Sequence, residues 1–409
     1  MSVRTYPIQK VREAFPALAR THNGYGVAYF DGPGGTQVAG SVIEAMTEYM
    51  KSGVANLGGV YQTSEETAQL VDKARLMAAT LLGSSKNEII FGANTTTLAF
   101  RIARAMSREW KAGEGNIVVT ELDHHANVDP WVTAADDKEV GVRAIPLNTE
   151  TLELDYEVAD QLIDEQTKLV AVGLASNAVG TINDVSRIIQ RAKEVGALVV
   201  IDAVHAVPHF AVNFKKLDVD LMFCSAYKFF GPHVGIAAIK HNLYEQLFTF
   251  KLQPHPSDIP DKLETGTINF EGLIGVIETI EFMATFGQGE TLRERLDTAY
   301  EQFETYEDMI ADRLRNGLAQ VDGVTLYQAL TSRKTPTVAF RVDGISPEDV
   351  CRQMSELAIH IESGDFYAMT VVERLGLTAS GGLIRAGIAP YNTEEEIDRL
   401  INGIKALKK

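Results

Sequence analysis

Asp220-Leu221-Met222-Phe223-Cys224-Ser225-Ala226-Tyr227-Lys228-Phe229-Phe230-Gly231-Pro232 holds a short apolar run with a lysine just beyond it. A lysine immediately beyond a buried strand, among apolar neighbours, has its charged form disfavoured and offers a neutral amine for Schiff-base chemistry. A loop lysine facing solvent fits the same string. Outward from it the pattern recurs: Glu88–Phe91, Asn116–Thr120, Val142–Pro146, Lys168–Gly173, Ala197–Ile201, Leu221–Ser225 and Ile236–Ile239 are short, mostly apolar and rich in valine or isoleucine. Helical patterns lie between several of them; Val185–Val195 has a polar face of Arg187, Gln190, Arg191, Lys193 and Glu194. This alternation predicts an α/β domain around a mostly parallel, buried seven-stranded sheet. Such sheets bind ligands beyond the carboxyl ends of their strands.

Further on, Phe270–Phe286 and Leu292–Leu318 predict long helices, the second with the length of a connector between domains. The last third changes style, with a strand (Thr337–Val342), a helix opened by Ser346-Pro347-Glu348-Asp349, a strand (Leu383–Ala386) and a closing helix from Thr393. Pro347 suits a first helical turn, and Thr393 with Glu396 has capping-box spacing. The expected division is an N-terminal segment (1–30) packing on the smaller domain or a partner, a large domain (31–289) and a smaller α+β domain (290–409).

Lys+Arg 38 against Asp+Glu 55 leaves a net charge of −17, which argues against nucleic acid or an anionic membrane as partner. No run of about 18 apolar residues appears, and the N-terminus has no apolar core of signal-peptide length. Cys224 and Cys351 form neither a disulfide framework nor a metal-binding pair. The expectation is a reduced, cytoplasmic enzyme without a metal.

Asp202 closes the apolar run Ala197–Ile201, where a partly buried carboxylate needs a cationic partner. A protonated pyridine nitrogen is such a partner, and that ion pair makes pyridoxal 5′-phosphate (PLP) an electron sink. His205, three residues on, is in reach of a cofactor's phenolic oxygen. A helix N-cap for Asp202 and a core histidine for His205 are equally compatible. Asn94-Thr95-Thr96-Thr97 opens a helix, where exposed N–H groups and hydroxyls hold a phosphate; plain N-capping would explain any one threonine. Ser225 and Tyr227 are further phosphate donors. In Leu122-Asp123-His124-His125-Ala126-Asn127 a histidine ring is suited to stack on a pyridine and assist proton transfer. Asn177 follows another strand and is suited to a ring substituent or a substrate carboxylate. Arg385 suits a bidentate carboxylate clamp, or a salt bridge.

Taken in order, TT, HHAN, SNxxGT, DxxHA, SxxK…GP, GT and R, from Tyr29-Phe30-Asp31 to Tyr391-Asn392-Thr393, the chain resembles the class V aminotransferase group of fold-type I PLP enzymes. It is most similar to the cysteine desulfurase-like members. The resemblance implies that Lys228 is the Schiff-base lysine, that Asp202 pairs the pyridine nitrogen and that His124 stacks on the ring. It further implies that Thr95, Thr96, Ser225 and Tyr227 cradle the phosphate, with Asn177 and His205 near the ring and Arg385 on the substrate carboxylate. Thr267, in Glu264-Thr265-Gly266-Thr267-Ile268-Asn269, would reach the phosphate of a neighbouring subunit, implying a homodimer with shared sites.

The chain also departs from that group. In Ile361-Glu362-Ser363-Gly364-Asp365-Phe366-Tyr367-Ala368-Met369, Tyr367 stands where desulfurases carry the cysteine that takes sulfur as a persulfide, and Glu362 replaces an arginine. Tyr227 and His205 replace a histidine and a glutamine, as in kynureninase or isopenicillin N epimerase relatives. The expectation is an amino-acid-transforming PLP enzyme that deprotonates Cα and cleaves Cβ–S by β-elimination. Tyr367 counts as a substrate-side residue. An aminotransferase or epimerase on the same scaffold, and a non-catalytic PLP-binding partner protein, are the alternatives.

Overall fold

The structure is a computed structural model and describes residues 6–407. Its centre is a seven-stranded sheet in the order Ile89–Gly92, Gly235–Ile239, Leu221–Ser225, Leu198–Asp202, Thr167–Gly173, Asn116–Thr120, Gly141–Ile145. Only Gly235–Ile239 runs antiparallel to its neighbours; the other pairings are parallel. Leu221–Ser225 and Gly235–Ile239 are buried at every residue, as helices on both faces require, which is why these strands read as unbroken apolar runs. The α/β expectation holds, and most strand ends fall within a residue or two of those expected.

Parallel strands bring their carboxyl ends to one edge. Gly92, Thr120, Gly173, Asp202 and Ser225 all end there, each followed by one of the stretches singled out above.

A second, antiparallel sheet has the order Val324–Tyr327, Thr337–Val342, Leu383–Gly387, Glu362–Gly364. Phe340, Ile384, Val350, Ile397 and Leu400 form its core with the helices Pro347–Glu356 and Glu394–Ala406. The Thr393–Glu396 capping box is present, with both reciprocal bonds at 3.2 Å. The helix Leu292–Ala319 joins the two cores: Leu296, Tyr300 and Phe303 pack in the first, Ile310, Leu314 and Leu318 in the second.

The N-terminal segment binds both parts together. Tyr6 stacks on Tyr306 at 3.9 Å, and Phe15 meets Phe230 edge-on at 5.4 Å. The strand Ala28–Tyr29 pairs in parallel with Ile359–His360, and Asp31 bridges to Gly387. These contacts hold the second sheet beside the strand ends of the first. Among the described residues no helix is long and apolar enough to cross a membrane.

Candidate active site

Lys228 ends the short 3₁₀ turn Ala226–Lys228 that follows the strand Leu221–Ser225. Phe229 and Phe230 are buried behind it, and its ammonium donates to the Pro33 carbonyl. Burial, aided by the nearby Arg385 charge, pushes the Lys228 pKa down to about 7 against the pull of Asp202, Asp31 and Glu362.

The Asp202 carboxylate accepts a bond from the Val204 N–H at 2.8 Å. Burial raises it to about 6, tempered by that bond and by the Lys228 charge. Among the described residues no cation lies within ion-pair distance of it, so this half-buried acid, on the cavity wall, is available to a cation from outside the chain. His124 accepts from the Ala126 N–H through Nδ1 at 2.9 Å, which assigns the proton of the neutral ring to Nε2. Burial, then the charges of Lys228 and His125, lower its pKa to about 4.

At the opposite end of the cavity the helix Thr95–Met106 presents its N-terminus. Asn94 caps it, accepting from the Thr97 N–H at 2.8 Å. The Thr95 hydroxyl lies 2.7 Å from that of Ser225 and donates to the Cys224 carbonyl at 3.0 Å, while Thr96 is exposed to the cavity. Tyr227 stacks on His233 at 4.7 Å. Gly235 lets the helix come this close: a Cβ there would sit 2.4 Å from the Asn94 carbonyl carbon.

One cavity is lined by Thr95, Thr96, His124, Asn177, Asp202, His205, Ser225, Tyr227 and Lys228. It opens into a cleft of about 1080 Å³ that adds Arg385, Tyr367 and Glu362. Arg385 is 3% exposed; its Nη1 donates to the Asn177 carbonyl at 3.1 Å and Phe366 lies under its guanidinium at 4.0 Å. Burial lowers Arg385 to about 10, with Glu362 and Asp31 opposing.

Three buried polar atoms here lack partners: Arg385 Nε, Asn177 Oδ1 and Asp31 Oδ1. A helix N-terminus with hydroxyls, a depressed lysine, an acid without a cation and an unfilled guanidinium fit PLP and an amino-acid carboxylate.

The structure keeps some residues to other tasks. His205 is buried, and its Nε2 lies 3.0 Å from both Thr335 Oγ1 and Thr337 Oγ1, so any bond to a ligand in the cavity falls to Nδ1. Thr267 lines a different cavity, with Arg101, His233 and Glu264. Tyr367 is 74% exposed at the cleft mouth, stacked on His124 at 5.5 Å. Phe366 and Tyr367 both have left-handed backbones, φ 57° and 58°, a conformation costing about 1 kcal/mol or more each. Bonds from Asn177 Nδ2 to the Phe366 carbonyl (2.9 Å) and from the His125 N–H to the Tyr367 carbonyl (2.7 Å) hold them there. Cys224 and Cys351 line neither cavity nor cleft; burial raises both thiols, Cys351 to about 11.

Asp31 and Asp123 were missed as site residues by the sequence. Asp123, quoted there only as the neighbour of His124, is buried against the cavity, accepting from Asn127 Nδ2 (2.8 Å) and the Gly173 N–H (2.9 Å), and burial raises it to about 7. Its position after a strand end was a usable signal. Asp31 had none, because a bridge to Gly387 far along the chain brings it in. No group of three or more His, Cys, Asp or Glu suited to a metal occurs among the described residues.

Residues 28–400 match the profile of the family described as aminotransferase class-V. The chain is 29% identical over 420 residues, 99% of each chain, to a cysteine desulfurase of Pectobacterium carotovorum subsp. carotovorum (strain PC1). It is 30% identical over 421 residues to a cysteine desulfurase of Salmonella agona (strain SL483), again covering 99% of each. The apo structure of cysteine desulfurase from Thermococcus onnurineus NA1 superposes with a TM-score of 0.87 at 26% identity, over 100% of this chain and 99% of the other. The cysteine desulfurase CsdA of Escherichia coli, in its S-sulfonic acid form, gives 0.83 at 25% identity over 99% of each.

Proposed function

This chain belongs to the aminotransferase class-V family, as a cysteine desulfurase-like, PLP-dependent enzyme, and we propose that it cleaves the Cβ–S bond of an amino acid by β-elimination without a persulfide cysteine. When bound, PLP supplies an aldehyde that condenses with amines and a pyridine ring that withdraws electrons.

Lys228 would hold the cofactor through Nζ, and the same amine, with a pKa of about 7, suits the base that takes the substrate Cα proton at neutral pH. Asp202 would pair a protonated ring nitrogen, and His124, which keeps its proton on Nε2, would lie against the ring. Thr95, Thr96, Ser225 and Tyr227 would hold the phosphate, and Arg385 would orient the substrate through its carboxylate. Sulfur leaves Cβ with the bonding pair and is protonated to a thiol, or to sulfide from cysteine; hydrolysis of the remaining fragment yields pyruvate and ammonia.

The observation that carries this reading is a cleft lined by Lys228, His124, Asn177 and Arg385, with Tyr367 at its mouth and no cysteine on its walls. The test is to incubate holoenzyme with L-cysteine and quantify sulfide, pyruvate and ammonia. Equal yields are expected. L-alanine together with a protein-bound persulfide would overturn the reading, and a 2-oxo acid with the amino group kept on the cofactor would identify an aminotransferase.

A further inference from the structure

Glu362 has no task in the chemistry above. It pairs with Arg385 in the antiparallel register of the second sheet, so the two side chains leave the sheet on one face. Both line the outer cleft, but Arg385 is buried and Glu362 exposed. Among the described residues no cation reaches ion-pair distance of the Glu362 carboxylate. The other acids of the cleft are engaged: Asp129 with His125 Nδ1 at 2.9 Å, and Asp365 with the Tyr367 N–H at 2.9 Å.

The cleft runs from Lys228 past Arg385 to Glu362, about 1080 Å³ in all and open to solvent on the Glu362 side. The buried, unpartnered Arg385 Nε marks where an α-carboxylate docks. A side chain extending from there toward solvent meets the Glu362 carboxylate, which acts on Arg385 and Lys228 only at a distance.

We propose that Glu362 is a specificity-determining residue, favouring amino acids whose side chain ends in an ammonium or similar donor and rejecting those ending in a carboxylate. The assignment rests on the carboxylate docking at Arg385 given above. Attraction of the one and repulsion of the other act together, so the spread between the two expected at an exposed site is roughly threefold to tenfold.

The test uses holoenzyme and three thioethers of similar length: S-(2-aminoethyl)-L-cysteine, S-ethyl-L-cysteine and S-carboxymethyl-L-cysteine. Kd is read from the change in cofactor absorbance and kcat/KM from thiol release. The aminoethyl compound should bind tightest and the carboxymethyl compound weakest. Glu362→Gln should collapse the spread and Glu362→Arg invert it. Equal binding by the wild type, or an order that survives both substitutions, overturns the proposal. Binding in the expected order without thiol release would sink the lyase reading and leave the specificity standing. Equal thiol release from all three would do the reverse, and failure of all three to bind would overturn both.

Discussion

Lys228 draws its chemistry from its neighbours, and their signs can be tested one at a time. In cofactor-free protein, capture of PLP by the neutral amine should rise with pH to a midpoint of about 7 and level off above it, since the protonated form is not nucleophilic. Arg385 pushes the lysine down and Asp202 holds it up, so Arg385→Ala should move the midpoint upward and Asp202→Asn downward. Borohydride-trapped adduct, followed across pH, gives the answer; a wild-type midpoint near the ordinary lysine value would refute the environment described. Lys228→Ala should lower turnover by about 10²–10⁴-fold, the range for a lost general base, and normal turnover of amino acids by that variant would rule out the mechanism. Lys228, Asp202 and His124 were legible because each follows an apolar run in the chain. Asp31 was not, and neither was the engagement of His205 Nε2 by Thr335 and Thr337, because those partners come from distant segments.

At the scale of elements, the helix Thr95–Met106 works through its N-terminus, and the adjacent strand must be slim enough to admit it. Gly235→Ala would drive a Cβ into the Asn94 backbone. Overpacking of this kind costs about 1–3 kcal/mol, so PLP affinity should fall roughly tenfold to hundredfold; equilibrium titration of the apoprotein measures it. At the far end of the chain, Thr393→Ala removes the cap of Glu394–Ala406 and should cost about 1 kcal/mol in urea unfolding, without shifting the Lys228 midpoint. The N-terminal signals of Pro347–Glu356 and Glu394–Ala406 were visible as spacing, since capping is a local interaction. The Phe366–Tyr367 turn was not, since its left-handed backbone is held by Asn177 and His125.

At the scale of the molecule, we propose a homodimer in which Thr267 serves the partner's phosphate. Support comes from Thr267 lying outside its own chain's cavity, in a surface pocket with Val54, Ala55 and Asn56, and from the exposed apolar run nearby, Val54 58%, Leu57 47% and Val60 96%. Sedimentation should give twice 44.8 kDa, and Val60→Asp should shift the mass toward one chain and weaken PLP binding together. A wild-type monomer with full PLP affinity would dismiss this arrangement. We also propose that the two parts divide near residue 290, with the helix Leu292–Ala319 as the shared spine. The sequence by itself determined the strands of the large sheet, their carboxyl-end loops and the order of the chemical stretches, because periodicity, capping and burial of apolar runs are written locally. Only the tertiary structure decided that the charges of Asp31, Arg385 and Glu362 act on Lys228, because strand pairings between segments hundreds of residues apart, Ala28–Tyr29 with Ile359–His360 and Asp31 with Gly387, have no local signature.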